Sequence, residues 1–259
     1  MTLLTEDINA CAGVVQKGDP DRFLAVMSIK PDLRAPLFVL YAFNLEIARA
    51  AWASQEPMVG QMRLQFWRDI VTQADENGSA RYHEVGRPLA VLIREKRLDT
   101  EALDQMITAR WWDLNKDGFD APEAFRAQIE ATAGNLMWLS AQALGAGETD
   151  RSLAQTWGFA QGLAAWFQAV PELEKRGCRP LYDGRPAAIS GLARAALSDL
   201  RNTKPPRAPW TMVLRTAWQA EPLLKLAAKE PQRVADGALA LSEFHKKRRL
   251  FFKALTGRP

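Results

Sequence analysis

Residues with the chemistry of a cation site occur together in one short stretch. The stretch Asp113-Leu-Asn-Lys-Asp-Gly118 places oxygen donors at alternate positions before a glycine, as in the first half of a calcium-binding loop. The twelfth position of such a loop holds a bidentate carboxylate, but here it is Ala124, and Glu123 comes one residue early. We therefore predict a helix-capping loop here rather than a calcium site.

The cysteines and histidines indicate little thiol or metal chemistry. Two cysteines exclude a disulfide scaffold, and two histidines argue against a histidine-built metal site. Cys178 has arginines nearby in the chain that could lower the thiol pKa, but no histidine partner is visible, so a catalytic cysteine is not expected. The stretch Leu144-Gly-Ala-Gly147 follows a predicted helix and indicates a helix stop rather than a dinucleotide site.

Aromatic residues are the other chemically distinctive group. The chain has nine tryptophans, most of them on segments with helical periodicity. Tryptophans at such positions pack a core or line a cavity for a bulky apolar ligand, and both interpretations stay open.

A basic and aromatic segment lies near the end of the sequence. Residues 201–259 carry 13 Lys or Arg against 4 Asp or Glu, a net charge of +9 in a chain whose total is +4. The run Lys246, Lys247, Arg248 and Arg249 has phenylalanines on both sides. It is a solvated helix end, or it contacts an anionic membrane or a partner. No reader motif indicates nucleic acid.

Composition places the chain among ordinary globular proteins. Its 259 residues are 47% hydrophobic and 25% charged, which excludes disordered and collagen-like chains. The first residues include Glu6 and Asp7, unlike a targeting signal, and no window is long and apolar enough to span a bilayer. We expect a cytoplasmic protein, which would be peripheral at the inner face of the membrane if it contacts a membrane at all.

The elements that must position these residues are helices throughout. Apolar residues recur with helical spacing, and β-branched runs are short. No linker is long enough to separate two domains, so we predict one all-α domain over residues 1–259. The predicted helices span about 31–52, 58–70, 87–97, 99–112, 121–144, 150–170, 187–200, 210–229 and 232–255.

The order of several short motifs resembles the squalene/phytoene synthase family. The motifs that carry the resemblance are Arg22-Phe23, Leu33-Arg34, Leu40-Tyr-Ala-Phe43, Asp113-Leu114, Ala133-Gly134, Gly158-Phe-Ala160 and Arg176-Gly177. The resemblance implies a single-domain, isoprenoid-synthase-like helical bundle with a central cavity. In that family the cavity joins two prenyl diphosphates head to head, with magnesium held by two aspartate-rich helices.

The sequence departs from the family at the magnesium motifs. Ala48, Arg49 and Trp52 stand where the first motif has aspartates. The residues at the second motif are Ala165, Gln168, Ala169 and Leu173, and Pro171 is expected to interrupt that helix. The resemblance therefore implies a cavity lined by these residues instead of carboxylates, with no metal and no other cofactor.

Other residues at family positions are expected to contact a ligand. Arg34 matches an arginine that contacts diphosphate in the family. The full set of expected ligand contacts is Phe23, Arg34, Tyr41, Asn44, Glu46 and Glu172.

A longer match indicates a branch of the family. The segments Ala42-Phe-Asn-Leu-Glu46 and Met62-Arg-Leu-Gln-Phe-Trp67 resemble the divergent branch that includes a mitochondrial complex I assembly factor. The leading hypothesis is a non-catalytic protein that binds an apolar isoprenoid-like ligand or a partner protein, in complex I assembly. The first alternative is an active head-to-head prenyltransferase that uses Glu46, Glu172 or Glu174 to hold magnesium. The second is a structural protein whose tryptophans fill the cavity.

Overall fold

The computed structural model describes residues 3–53, 56–75 and 83–257. All regular structure in these ranges is helical, which confirms the predicted all-α class. The helices are α1 (Thr5–Gly18), α2 (Pro20–Met27), α3 (Arg34–Ala50), α4 (Pro57–Asp75), α5 (Gly86–Lys96), α6 (Thr100–Thr108), α7 (Trp111–Asn115), α8 (Pro122–Ile129), α9 (Asn135–Ala143), α10 (Arg151–Lys175), α11 (Pro186–Asn202), α12 (Ala220–Lys229), α13 (Gln232–Ala235) and α14 (Glu243–Thr256). Segments of 3₁₀ helix lie at Pro31–Leu33, Glu148–Asp150 and Pro209–Ala217, the last of them nine residues long. A five-residue segment of π-helix, the π-turn, spans Glu130–Gly134.

Helices α3 and α10 position the rest of the bundle. The apolar run from Pro36 to Phe43 buries α3 against α1, α4, α5 and α9. Helix α10 packs against the π-turn and against α9, α11 and α12. Both helices carry a broad apolar surface, so burial against several neighbours at once is their favourable arrangement.

Two glycines allow α10 to approach the π-turn closely. A Cβ at Gly158 would lie 2.5 Å from the Ala133 carbonyl oxygen and 2.8 Å from the Gly134 Cα. A Cβ at Gly162 would lie 2.5 Å from the Ala133 Cβ. Larger side chains at either position would force these two segments apart, so the glycines set their separation.

Several predicted boundaries were wrong for identifiable reasons. Helix α10 continues through Pro171 to Lys175, because a proline removes one hydrogen bond while the packed helix around it persists. The predicted helix 232–255 is two helices, and Gly237 between them has φ +66°. The helices predicted from periodicity begin at residue 31, whereas the structure has α1 and α2 before it. No helix in the described ranges is long and apolar enough to cross a membrane.

Candidate functional site

Helices α3 and α10 face each other across a cavity of about 280 Å³. Asn44, Ala48 and Trp52 line it from the α3 side. Gln161, Ala165, Ala169 and Leu173 line it from α10. Residues four apart lie on one helical face, so each helix presents a single stripe to the cavity. Seven positions correspond, by the sequence resemblance, to the family's magnesium motifs, and five of them line this cavity. They are Ala48, Trp52, Ala165, Ala169 and Leu173.

The cavity is open rather than sealed. Ala165 is exposed although it lies on the inner stripe of α10, and Ala48 and Ala169 are half-buried. A neighbouring space of about 830 Å³ shares Trp52 and Asp113 with the cavity, and another of about 130 Å³ shares Gln161 and Ala165. The three spaces follow one another along the bundle, and tryptophan does not fill the space beside Ala48 and Ala169.

A buried charge pair lies in the cavity wall. The Arg110 Nη1 is 3.7 Å from the Asp113 Oδ2, and the Arg110 Nη2 donates to the Asn44 Oδ1 at 3.4 Å. Only 8% of the Asp113 side chain and 16% of the Arg110 side chain are exposed. Burial raises the pKa of Asp113, and the attraction of Arg110 only partly opposes that rise.

In the described ranges, five buried side-chain polar atoms have no hydrogen-bond partner, and three of them belong to residues that line this cavity. The Nε atoms of Arg22 and Arg110 and the Oδ2 of Asp113 are buried and have no hydrogen-bond partner. Arg22 Nε does lie 3.2 Å from the Asp19 Oδ2, an ion-pair distance, without forming a hydrogen bond. Buried polar groups normally have partners, so the cavity can accommodate a polar group of a ligand or a water molecule at either end, beside Arg22 or beside Arg110 and Asp113.

Two of the residues at the magnesium-motif positions lie away from the cavity wall. Arg49 is half exposed and its Nη1 is 4.0 Å from the Glu46 Oε1. Gln168 directly precedes Ala169, so it lies about 100° around α10 from the inner stripe, and it donates its Nε2 to the Leu239 carbonyl at 3.0 Å. It lines the smaller neighbouring space together with Gln161.

Most of the expected ligand contacts lie outside the main cavity, at several separate places in the bundle. Arg34 donates to the carbonyls of Met27 and Ile29 at 2.7 and 2.8 Å, so its guanidinium caps the end of α2. Tyr41 is buried under Arg22, whose guanidinium carbon lies 4.9 Å from the ring centre. Phe23 packs on the core beside α3. Of the six expected contacts, Asn44 is the one that lines the main cavity.

The candidate carboxylates are also outside the cavity. Glu172 is exposed and accepts from the Arg176 Nε at 2.9 Å. The Arg176 guanidinium in turn stacks over Trp52, 4.6 Å from the ring centre, at the end of the cavity. Glu46 is near Arg49, and Glu174 is exposed.

The donors present do not fit the pair of magnesium ions that the family resemblance implies. Magnesium prefers carboxylate oxygens and water, and the carboxylate in the cavity wall is Asp113, beside Arg110. Across residues 3–53, 56–75 and 83–257, no three His, Cys, Asp or Glu side chains are close enough to hold a metal ion. We therefore assign no chemistry to a metal in this cavity.

The remaining sequence motifs have structural explanations. The stretch that resembles half of a calcium-binding loop begins inside α7 with Asp113, and Lys116 ends that helix in the left-handed conformation (φ +58°). Cys178 is buried, and burial raises the pKa of its thiol, which opposes thiolate chemistry. Trp52 and Trp166 line the cavity, whereas four tryptophans are buried elsewhere in the core: Trp67, Trp138, Trp210 and Trp218.

The basic residues of α14 divide into two pairs. Lys246 contacts Asp21 at 2.9 Å, and Arg249 donates to the Trp218 carbonyl at 2.7 Å. Lys247 and Arg248 are exposed to solvent. Of the four basic residues predicted to contact a membrane or partner, Lys246 and Arg249 therefore hold α14 on the bundle, while Lys247 and Arg248 point to solvent.

The polar side of the site was not predicted from the sequence. Arg110 and Asp113 were not expected as cavity residues, although a spacing of three places both on one helical face. Arg22 was noted only as part of a motif. An arginine and an aspartate three apart beside two tryptophans was the available signal, but exposed helices carry the same spacing.

Comparisons with known proteins agree with the fold and the motif order. The model of the squalene/phytoene synthase family matches residues 15–242. A solved dehydrosqualene synthase in complex with ligand has a TM-score of 0.78 at 15% identity, covering 97% of this chain and 96% of that one. A squalene synthase from Alicyclobacillus acidocaldarius has a TM-score of 0.60 at 18% identity, covering 98% and 95%. At these identities the likeness shows the fold.

The similar relatives belong to one named group. The complex I assembly factor 6 homolog of Drosophila melanogaster is 28% identical over 167 residues, which is 62% of this chain and 50% of the relative. NADH dehydrogenase (ubiquinone) complex I, assembly factor 6 of Homo sapiens is 24% identical over 162 residues, covering 62% and 48%. The match thus spans about half the length of these curated relatives.

Proposed function

The chain belongs to the squalene/phytoene synthase family, and from that premise we propose that it is a non-catalytic member whose central cavity holds an apolar, isoprenoid-like ligand. The observation that carries the proposal is the pair of facing stripes on α3 and α10. By the sequence resemblance these stripes correspond to the family's two metal-binding motifs, and they present Ala48, Ala165, Ala169 and Leu173 to the cavity.

Loss of the carboxylates removes the main support for prenyl transfer. Departure of a diphosphate develops negative charge, which magnesium ions neutralise when aspartates hold them. Here the cavity wall offers Arg22 and Arg110, and Asp113 offsets part of their charge. Two partly compensated arginines are a weak substitute for metal ions bound by several carboxylates.

The same balance of charge argues for a ligand with a neutral head. Alanine, leucine and tryptophan form most of the wall, which suits a hydrocarbon chain. The atoms that lack hydrogen-bond partners include two N–H donors and a carboxyl oxygen, so a hydroxyl or carbonyl group could use them. A diphosphate would place several negative charges beside Asp113.

The biological role we propose is in assembly of respiratory complex I. Its support is the similarity to proteins named as complex I assembly factor 6, together with a cavity that lacks the family's metal donors. A protein without catalysis can act by binding, through its ligand or through a partner protein. The aligned region spans about half the length of those relatives.

The first experiment measures prenyl transfer directly. Purified protein is incubated with farnesyl or geranylgeranyl diphosphate and magnesium, and both hydrocarbon product and released diphosphate are quantified. An active squalene synthase treated in the same way serves as the positive control. We expect neither product nor diphosphate release, and magnesium-dependent turnover would establish the prenyltransferase alternative instead.

The second experiment measures ligand binding. Calorimetry compares farnesol with farnesyl diphosphate, the latter with and without magnesium. We expect farnesol to bind more tightly, with no effect of magnesium on the diphosphate. The variant Ala169→Leu should weaken farnesol binding at least about ten-fold by occupying the cavity, whereas Ala195→Leu, at an exposed position of α11, should leave it unchanged.

A further inference from the structure

Helix α14 differs from the other long helices because it buries none of its residues. Its large apolar side chains are exposed: Phe244 by 74%, Phe251 by 62%, Phe252 by 55% and Leu255 by 70%. Several exposed apolar groups gathered on one element often mark a contact surface.

The exposed residues lie on one face of the helix. Positions 244, 248, 251 and 255 recur at intervals of three and four, so Phe244, Arg248, Phe251 and Leu255 share the outer face. Lys247 is exposed beside them, and the guanidinium of Arg248 lies 5.7 Å from the Phe244 ring centre. The outer face thus combines apolar side chains with positive charge.

The opposite face holds the helix on the bundle through polar contacts. Lys246 pairs with Asp21 of α2, and Arg249 pairs with Glu221 of α12 and donates to the Trp218 carbonyl. Burial raises the pKa of Glu221, but hydrogen bonds from Lys225 and Arg249 outweigh it and bring that pKa to about 2. These contacts fix which face of α14 points outward.

From this geometry we infer that α14 lies flat on an anionic lipid bilayer, with Phe244, Phe251 and Leu255 among the acyl chains and Lys247 and Arg248 at the headgroups. Amphipathic helices that bind membranes in the interface have this combination of aromatic residues and cations. The net charge of +9 in residues 201–259 favours an anionic surface. The inference does not depend on what occupies the central cavity.

Vesicle sedimentation tests the inference with the full chain. One set of vesicles is phosphatidylcholine, and a second contains phosphatidylglycerol as well. We expect binding to the anionic vesicles, weakened by salt because headgroup attraction is screened. Lys247→Gln with Arg248→Gln should lower that affinity about thirty-fold, since each cation near such a surface contributes about one factor of five.

A second variant removes the apolar part of the face. Phe244→Ser, Phe251→Ser and Leu255→Ser together should lower affinity for anionic vesicles about a hundred-fold or more. The matched control is Met58→Ser with Met62→Ser, which removes two side chains exposed by 69% and 67% on α4. The control should bind like the wild type, and so should Lys96→Gln with Lys175→Gln, which removes two exposed cations elsewhere.

The outcomes separate a membrane from other occupants of this face. Because α14 buries none of its residues and the side chains replaced in the two controls are exposed, all variants should keep the wild-type circular dichroism and unfolding midpoint. Wild-type protein that does not bind anionic vesicles would overturn the inference. The inference would also be overturned if the apolar triple variant bound anionic vesicles as tightly as the wild type. A third contrary result is a wild type that binds no vesicles but self-associates, with the triple variant remaining monomeric.

Discussion

Filling the central cavity should stabilise this protein, and Ala169→Leu is the substitution that tests it. Ala169 is half-buried on the inner stripe of α10, beside an open volume of about 280 Å³. Leucine adds three carbon atoms, which is about 2.4 kcal/mol if they all leave water, at about 0.8 kcal/mol each. Ordering the longer side chain costs about 0.5–1 kcal/mol, and the open cavity leaves part of it wet. The expected net gain is about 1 kcal/mol.

The assay is equilibrium unfolding in urea, checked by thermal unfolding. A gain of about 1 kcal/mol should raise the midpoint temperature by about 2–4 °C in a chain of this size. The control Ala195→Leu adds the same three carbons at an exposed position of α11 and should change stability by less than about 0.5 kcal/mol. If Ala169→Leu instead destabilised the fold by more than the control, α3 and α10 would leave no usable space between them.

Three further changes test other parts of the structure. Gly158→Ala should destabilise the protein by about 2–3 kcal/mol in urea unfolding, because a Cβ there would lie 2.5 Å from a backbone oxygen of the π-turn. Burial raises the pKa of Asp113 above its ordinary 3.8, so the stability that this group contributes is lost as the pH rises from 3.8 to the raised pKa. Over that interval the free energy of unfolding of Asp113→Asn should rise relative to that of the wild type in pH-dependent unfolding. The pKa of Glu221 is lowered to about 2, against the effect of burial, by Lys225 and Arg249; its stabilising effect is therefore lost as the pH falls from 4.5 towards 2, and limited proteolysis should then cut α14 more readily.

Each of these three changes has its own control. Gly191→Ala, on α11 with open space around its Cβ position, should be neutral or slightly stabilising. If both glycine substitutions lowered the free energy of unfolding equally, close packing of α10 on the π-turn would not explain the effect at Gly158. A constant difference between Asp113→Asn and the wild type at every pH would contradict the raised pKa. In Glu221→Gln, cleavage of α14 should be high already at neutral pH and change little with acid.

Helical periodicity predicted the fold well because nearly every element carries a strong apolar stripe. It failed at Pro171, where tertiary packing maintains a helix that local propensity would end. It also failed to separate α13 from α14, since the residues between them include only one strong stop signal, Gly237. Both errors come from judging a segment without its neighbours.

The site was predictable to the extent that it depends on spacing within one helix. Counting along the chain from the motifs was enough to locate the inner stripes of α3 and α10, including Ala48 and Ala169. The contact between Arg110 and Asn44 joins residues far apart in the chain, and nothing in either segment specifies it. Arg34 shows the reverse case, because its motif position was clear while the carbonyls it binds depend on how α2 ends.

The π-turn at Glu130–Gly134 has a consequence for insertions and deletions. A turn of this kind accommodates an extra residue within an otherwise helical stretch, here between α8 and α9. Because the wider turn takes up that residue, deleting one residue from it would restore a regular α-helix and leave the direction of α9 unchanged, whereas deleting a residue inside α9 would rotate the part that follows by about 100°. Almost the whole surface of α9 is buried, so such a rotation would displace side chains on every side of it. A one-residue deletion between Ile129 and Asn135 should therefore disturb the bundle less than a one-residue deletion inside α9.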